Sequence, residues 1–333
     1  MDTDAITLLC AGALAFSVIN YVLLDGTDLG VGVLLGLTRR SDYRRAMAVS
    51  ILPIWDANET WLVLGGGGLL ALFPQAYAIL LPALYLPFIL MFLALILRAM
   101  ALEFRDHAAS ARMKRLVDAG LLCASLLTGM AQGVVLGTLV QGVPHAGGQY
   151  SGTGWEWLGP FPLFCGLLLV CGYTWLGACW LYWRTVDELQ QRSARQARVL
   201  AWGTVGLLIV LVLWTSTLHA QYAERLISPL IGSLAVFAAA ALLTGFFLGF
   251  RSRFDCLPLF TALGVFVLAF GLMLVALFPL IIPPDLTLQA ATSSRNSQIF
   301  VLMGFALLVP VTLIYNTYGF RVFSGKVRVS PSH

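Results

Sequence analysis

Two short acidic motifs within otherwise apolar stretches contain the residues most able to do chemistry. Asp25 and Asp28 lie towards the end of one apolar stretch, and Asp56 and Glu59 lie near the start of the next. A charge at the centre of a membrane-crossing helix costs about 2.5–3.5 kcal/mol, so acids in such helices mark functional sites. Carboxylates crowded in a low-dielectric interior cannot all ionise, and one that holds its proton near neutral pH can pass it on. The two motifs therefore predict a proton path inside a membrane.

A fifth acid and an arginine belong to the same candidate site. Asp118 begins a later apolar stretch, and Arg98 lies at the end of the stretch before it. Arg98 is the predicted counter-ion of the acids, although long basic side chains also extend to the membrane surface without a partner. Within each motif the two acids are three residues apart, which places them near one face of a helix. The simpler interpretation is that Asp25, Asp28 and Asp118 are solvated at the membrane edge.

Glycines accompany both acidic motifs. Two of them are spaced as G-x-x-x-G beside the first motif, and a run of four follows the second. Small residues let membrane helices approach closely, and close packing would exclude lipid from the acids. A nucleotide-binding loop is excluded because no strand precedes these glycines. The predicted helix-packing residues are Gly26, Gly30, Gly65, Gly66, Gly67 and Gly68.

The composition identifies the elements that must position these side chains. The chain has 333 residues, of which 59% are hydrophobic and 11% are charged, whereas soluble domains have about 25% charged residues. Soluble enzymes, nucleic-acid-binding proteins and disordered chains are therefore excluded. The net charge of +4 does not indicate nucleic-acid binding, because the basic residues follow a membrane pattern. The composition predicts an all-α polytopic membrane protein.

Nine apolar stretches are long enough to cross a hydrocarbon core about 30 Å thick. With nine transmembrane helices, 18 of the 20 lysines and arginines lie on one side and two, Arg225 and Arg295, on the other. Because basic residues favour the cytoplasmic side, we expect the N-terminus outside, the C-terminus in the cytoplasm, and all five acids in the cytoplasmic half. The predicted spans are about 6–36, 50–73, 77–104, 114–141, 160–183, 199–219, 230–250, 257–282 and 298–320. They form one membrane domain, 1–333, with acid-containing helices over 6–141 and helices without intramembrane acids over 160–320.

Residues that could bind a metal or a haem are scarce. The four histidines lie in loops, at the end of an apolar stretch or in the tail, and the six cysteines form no C-x-x-C pair. Cysteines within apolar stretches are more often small buried hydrophobic residues than disulfide or zinc ligands. Because haem iron needs an axial ligand such as histidine, we expect no metal site and no haem held by this chain alone. The histidines are His107, His145, His219 and His333.

Several motifs, taken in chain order, resemble those of subunit II of the cytochrome bd family of quinol oxidases. They are DGTDLGVG at 25–32, WDANETWL at 55–62 with the glycine run, Arg98 with EFR at 103–105, LVQGVP at 139–144, RTVDEL at 184–189 and ATSS at 291–294. The resemblance covers nearly the whole chain. The family often has Phe where Thr27 stands and Gly where Ala57 stands, and neither difference removes a carboxylate. The short loops resemble the shorter branch of the family, which includes cyanide-insensitive oxidases.

The resemblance implies two four-helix bundles plus a peripheral helix, located in the bacterial cytoplasmic (inner) membrane. It implies a heterodimer with subunit I, which carries haem b, haem d and the quinol site. Such a complex oxidises quinol on the outer side and reduces oxygen to water with protons from the cytoplasm. Carboxylates matching Asp28, Asp56 and Asp118 serve proton delivery or the subunit contact. The resemblance also leaves room for a small accessory subunit and for a structural quinone.

Two other functions remain open at the level of the sequence. A proton-driven secondary transporter also needs intramembrane acids, but it predicts broken helices in corresponding halves of the chain. The acids here are confined to the first half, which argues against a transporter. A purely structural membrane subunit would stabilise its partner and carry no protons. Amide replacements of the acids distinguish these functions, because only proton delivery loses turnover while assembly stays intact.

Overall fold

The computed structural model describes residues 3–323 and 325–329, and most of them are helical. The helices of the first half are α1 (Ala5–Gly36), α2 (Ser41–Ile51), α3 (Trp55–Leu72), α4 (Pro74–Ala83), α5 (Tyr85–Phe104) and α6 (Ala111–Gln141). Those of the second half are α7 (Pro160–Arg184), α8 (Asp187–Leu218), α9 (Ala220–Leu226), α10 (Pro229–Gly249), α11 (Leu257–Leu277), α12 (Leu288–Ala291) and α13 (Arg295–Val322). Two antiparallel hairpins lie in loops, β1 (His145–Ala146) with β2 (Gln149–Tyr150) and β3 (Leu280–Ile282) with β4 (Leu286–Thr287).

Eight of the described helices are long and apolar enough to cross a membrane, namely α1, α5, α6, α7, α8, α10, α11 and α13. The pair α3 and α4 raises this number to nine if it is one span, although it is bent by 119° at the break. About 20 helical residues cover a hydrocarbon core of about 30 Å, and α1 with 32 residues exceeds that length. The predicted fold class, an all-α membrane protein with about nine spans, is confirmed.

Two predicted spans have different boundaries in the structure. The stretch 77–104 is divided at Leu84 into α4 and α5, so the prediction of one continuous helix was wrong. Pro87 has no N–H group to donate to the carbonyl of Ala83 four residues earlier, and the helix is interrupted there. The stretch 50–73 is shorter than predicted, because its first residues end α2. Apolar composition alone does not report either break.

The spans form two groups that meet where α1 and α6 pack against α7. In the first group α1 contacts α3 and α6, and α5 contacts α6; in the second, α7 contacts α8 and α11, and α10 contacts α11. Helix α13 lies beside these groups and contacts α1 and α3. The contacts therefore agree with two four-helix groups and one peripheral helix.

Glycines determine how closely α1 approaches α7. Gly30 of α1 lies directly against the backbone of Tyr173 and Gly177 in α7, and a Cβ atom on Gly30 or Gly177 would overlap the backbone of the opposite helix. Gly26, one turn away, lies against the Tyr173 ring. Because Gly has no Cβ, the two helices reach backbone contact here. This contact joins the two helix groups.

The glycine run of α3 has two different environments. Gly68 lies against the Phe305 ring of α13, where a Cβ atom would stand 2.9 Å from the ring, and Gly65 is in ordinary van der Waals contact with α1. A Cβ atom on Gly66 or Gly67 would meet no other described atom within 4 Å. One side of the run therefore packs within this chain, and the other side faces outwards.

The loop between α6 and α7 is organised around Glu156. Its carboxylate accepts hydrogen bonds from the Tyr150 hydroxyl, from the Thr153 backbone at 2.6 Å and from the Gly154 backbone at 3.1 Å. Partial burial opposes the charged form, but these hydrogen bonds outweigh it and lower the pKa of Glu156 from its usual 4.5 to about 2. The bonds therefore stabilise the loop only while Glu156 is ionised.

We expect this loop to lose its fixed conformation in acid. A carboxylate with a lowered pKa contributes stability above its unfolded pKa of 4.5, and this contribution disappears as the pH falls towards about 2. Amide hydrogen exchange of Thr153 and Gly154 should accelerate relative to other loops between these pH values. In Glu156→Gln the same amides should exchange fast at every pH. Unchanged protection of the unmodified protein across this range would contradict the prediction.

Candidate functional site

An arginine and two acids form a buried ion-pair cluster between α1, α3 and α5. Arg98 of α5 contacts Asp25 of α1 at 2.6 Å (Nη1 to Oδ1) and Glu59 of α3 at 2.9 Å (Nη2 to Oε1). The side chains of Arg98 and Asp25 are 1% and 0% exposed, whereas that of Glu59 is 30% exposed. A pair buried this completely is stable only because each charge has a partner. The cluster has one cation for two carboxylates, and its less buried end is Glu59.

Asp28 lies beside this cluster but has no ion pair among the described residues. Its Oδ2 accepts a hydrogen bond of 2.7 Å from Nδ2 of Asn58, and both side chains are buried. Asn58 precedes Glu59 on α3. The two acids of α1 therefore reach two neighbouring residues of α3, one through Arg98 and the other directly. Asp28 is thus held by a neutral amide, whereas Asp25 is held by a cation.

Asp56 does not join the buried cluster. It is exposed on α3 and makes no hydrogen bond or ion pair with any other described side chain. Successive residues of a helix are about 100° apart around its axis. Glu59 is three residues, or about 300°, after Asp56, so the two side chains point in directions about 60° apart. This difference is enough to direct Glu59 towards Arg98 and Asp56 away from the chain. The same outward side of α3 carries Gly66 and Gly67.

Several buried polar atoms of the cluster have no hydrogen-bond partner among the described residues. A buried polar group without a partner costs about 1–3 kcal/mol, so a native site gathers such atoms only where they have a use or meet water. Their concentration at one place indicates a hydrated or functional site rather than ordinary helix packing. The atoms are Asp25 Oδ2, Asp28 Oδ1, Asn58 Oδ1 and Arg98 Nε.

Asp118 belongs to a second ion cluster. Its carboxylate lies between Arg105 at 2.6 Å (Nε to Oδ1) and Arg44 of α2 at 2.7 Å (Nη1 to Oδ2). Arg105 follows Arg98 by seven residues, which separates the two clusters by about 10 Å along the helix direction. Both carboxylate oxygens of Asp118 are thus used in ion pairs. This geometry fits a clamp that joins α2, the end of α5 and the start of α6.

A chain of neutral polar side chains extends inwards from Asp25. Gln132 of α6 donates a hydrogen bond to the Tyr21 hydroxyl at 2.9 Å and accepts one from the Tyr173 hydroxyl at 2.6 Å. All three side chains are buried, and Tyr21 is one helical turn from Asp25. None of the three side chains is charged, so the search of the spans for charges did not predict this site. An amide in the middle of a span, Gln132, was the signal that could have found it.

The described residues do not fit a haem or a metal ion. Among them, His107, His145 and His219 lie outside the helices that could cross a membrane, and no group of three or more His, Cys, Asp and Glu could hold a metal. His333 lies outside the described residues. We therefore assign no chemical step to a haem in this chain, and the absence of a haem from this chain stays a prediction.

A cavity of about 470 Å³ lies in the second helix group and reaches α1 and α6. Its lining is almost entirely apolar and includes Phe161, Phe266 and Met273, with the hydroxyl-bearing residues Thr204 and Thr215. Such a lining suits an isoprenoid chain, and the two threonines are the groups that a quinone carbonyl would meet. The structural quinone expected from the resemblance stays a prediction, and this cavity can accommodate one.

Comparison with known proteins gives one consistent result. The family model described as "Cytochrome bd terminal oxidase subunit II" matches residues 6–323. The chain is 28% identical to "Cytochrome bd-I ubiquinol oxidase subunit 2" of Escherichia coli (strain K12), with 93% of this chain and 92% of that protein covered. It is 26% identical to "Cytochrome bd ubiquinol oxidase subunit 2" of Bacillus subtilis (strain 168), with 93% of both chains covered.

Solved structures share this fold. A chain of the bd oxidase from Geobacillus thermodenitrificans superposes with a TM-score of 0.80 at 16% sequence identity. The match covers 96% of this chain and 99% of that chain. At this identity the superposition supports the helical architecture and nothing about individual side chains.

Proposed function

Since the chain belongs to the family of cytochrome bd terminal oxidase subunit II, we propose that Asp28 and Asp56, with the cluster of Arg98, Asp25 and Glu59 between them, deliver protons to the oxygen-reducing site of the complex. The protein is a multi-pass membrane subunit of a quinol oxidase, not a secondary transporter. The family implies a subunit I partner and haems in the complex. Reduction of one O₂ to two H₂O consumes four electrons and four protons, so a buried oxygen site needs a proton supply.

We place the proton entrance at the end of the spans where most basic residues lie, which positive-inside asymmetry assigns to the cytoplasm of the inner membrane. The haems b and d are assigned to the partner subunit, because the described histidines of this chain lie outside its spans. Quinol oxidation on the outer side then supplies the electrons. Protons drawn from the opposite side make the reaction contribute to the transmembrane proton gradient.

The single observation that carries the proposal is the split of the four acids of α1 and α3 between buried and outward-facing positions. Asp25 is neutralised by Arg98, whereas Asp28 has only the neutral Asn58. Glu59 is partly exposed and can connect this interior to the outside of α3. These are the features that a proton route needs: an entrance, a fixed charge and an acid that can titrate.

The outward side of α3 is the surface that we assign to the partner subunit. Asp56 is exposed there, and the same face of the helix carries Val63, which is 72% exposed, and Leu70, which is 50% exposed. A carboxylate facing lipid is costly, so a protein partner with a hydrogen-bond donor is expected to cover it. Gly66 and Gly67 lie open on the same side and let a partner helix approach closely. Asp56 would then pass protons across the subunit contact.

We expect Asp28→Asn and Asp56→Asn to leave assembly intact and to reduce oxygen consumption with quinol by about ten-fold or more, since a lost proton donor commonly costs about 10²–10⁴-fold. Each change keeps the shape of the side chain and removes only its ability to carry a proton. The measurement is steady-state turnover together with proton uptake by the complex reconstituted in vesicles. Haem content and subunit stoichiometry report assembly in the same samples.

Asp106→Asn provides the matched control, because Asp106 is an exposed acid outside the cluster whose distance to Arg105 is 3.7 Å. Its turnover should equal that of the unmodified complex. Unchanged turnover and proton uptake in both Asp28→Asn and Asp56→Asn would refute proton delivery. Loss of haem or of the partner subunit in these variants would instead support the purely structural role.

A further inference from the structure

A second cavity, of about 440 Å³, opens at the end of the molecule where α7 ends and α8 begins. Its lining includes Arg195 and Arg198 of α8, the ring of Phe250 just beyond α10, and Asp255 before α11. This polar cavity is separate from the acid cluster, because none of its lining residues belongs to α1, α3 or α5. Nothing in the proposed proton path uses it.

The charges of this cavity are unbalanced in favour of the arginines. Asp255 is already satisfied, since the Lys326 ammonium contacts its carboxylate and the Gln190 amide donates to it at 3.1 Å. Arg195 and Arg198 form no ion pair with any residue that the structure describes. Two guanidinium groups therefore face the cavity with free donors, which is a suitable arrangement for phosphate.

The position of one arginine is set by packing. The guanidinium of Arg198 lies 4.8 Å above the centre of the Phe250 ring, in the geometry of a cation–π contact. A side chain held in this way loses less conformational freedom on binding a ligand than a free surface arginine does. This feature distinguishes the pair from ordinary basic residues that only set the orientation of a membrane protein.

An apolar surface continues from the arginines along α8. Val199 and Trp202 follow Arg195 by four and seven residues, on the same helical face, and they are 72% and 66% exposed. Trp202 stacks on Phe247 with ring centres 5.2 Å apart. Tryptophan is enriched at the boundary between headgroups and hydrocarbon, which puts the arginines at the depth of lipid phosphates and Trp202 where the acyl chains begin.

We propose that Arg195 and Arg198 bind the phosphate of an anionic phospholipid in this cavity, with an acyl chain of the lipid along Val199 and Trp202. Basic pockets between membrane helices are known to take anionic headgroups. The positive charge of Arg195 and Arg198 favours an anionic ligand, and the apolar surface beside them favours a lipid over a small soluble ion. The lining of the site contains no residue of α3, the helix that carries the surface assigned to the partner subunit.

The test uses the complete oxidase complex, delipidated in mild detergent and titrated with phosphatidylglycerol while native mass spectrometry counts the bound lipids. We expect Arg195→Gln/Arg198→Gln to weaken the tightest phosphatidylglycerol site by about ten-fold or more. Arg112→Gln/Arg115→Gln is the matched control, because these arginines of α6 are also exposed and outside every ion pair among the described residues. The control should bind lipid like the unmodified complex.

Three outcomes would overturn the proposal. Equal weakening of phosphatidylglycerol binding in the control variant would show a general effect of charge. Binding of phosphatidylcholine as tight as that of phosphatidylglycerol would show that the anionic headgroup is not recognised. Displacement of the lipid by millimolar inorganic phosphate would show that the site recognises free phosphate. If the double Gln variant fails to assemble, Arg195→Ala and Arg198→Ala are measured singly, and each should show part of the loss.

Discussion

The variant Arg98→Met is expected to destabilise the protein by about 3–5 kcal/mol, which is the usual effect of removing one partner from a buried ion pair. Arg98 is the cation that contacts Asp25 at 2.6 Å and Glu59 at 2.9 Å. Methionine has a similar volume and suits an apolar helix, so the loss comes from the uncompensated carboxylates and not from a cavity. The midpoint of thermal unfolding of the purified complex and its yield measure the effect.

A triple variant separates charge from packing. In Arg98→Met/Asp25→Asn/Glu59→Gln the cation and both of its partners are neutral, and replacing a whole buried ion pair is often close to neutral for stability. We expect this variant to regain most of the stability that Arg98→Met loses, while its turnover stays low. An unfolding midpoint of Arg98→Met equal to that of the unmodified complex would show that the buried acids do not need this cation.

The second large effect is expected for Gly30→Ala. The new Cβ atom would overlap the backbone of Tyr173 in α7, and backbone atoms cannot turn aside as a flexible side chain does. Helices α1 and α7 must therefore separate, and overpacking of this kind costs about 1–3 kcal/mol or more. Because this contact joins the two helix groups, we expect a lower unfolding midpoint and a lower yield of assembled complex.

Gly12→Ala is the control in the same helix. A Cβ atom on Gly12 would meet no described atom within 4 Å, and alanine favours a helix over glycine. Its stability should be unchanged or slightly higher. Gly177→Ala, on the opposite side of the contact, should reproduce the defect of Gly30→Ala. If Gly30→Ala were as stable as Gly12→Ala, the close approach of α1 and α7 would not be needed for the fold.

The sequence alone was sufficient to predict the fold class and the location of the unusual acids. A low fraction of charged residues and nine apolar stretches leave few alternatives to a bundle of membrane helices, because an unpaired backbone cannot cross lipid. The same stretches made Asp25, Asp28, Asp56 and Glu59 conspicuous, since charges are rare in such helices. The fold class and the location of the acids depend only on the composition of short stretches, which is read directly from the sequence.

The spacing of residues was a weaker guide to the helix breaks and to the environment of each acid. Asp56 and Glu59 were expected on one face, yet the structure buries the contact of Glu59 with Arg98 and leaves Asp56 exposed. A difference of about 60° around a helix decides between these environments only once the neighbouring helices are in place. Gln132 escaped notice because its importance depends on Tyr21 and Tyr173, which are far away in the chain.

Local composition thus predicts a membrane bundle with acids in its first half. The packing of the helices then gives one acid a cation and another an amide, and it leaves a third facing outwards. It placed Asp118 between Arg44 and Arg105, a clamp that no local pattern indicates. The difference lies in how far apart in the chain the residues involved are. The burial of an apolar span in lipid depends on about 20 consecutive residues. A hydrogen bond or an ion pair, in contrast, requires two groups within about 3 Å, brought there from distant parts of the chain by helix packing.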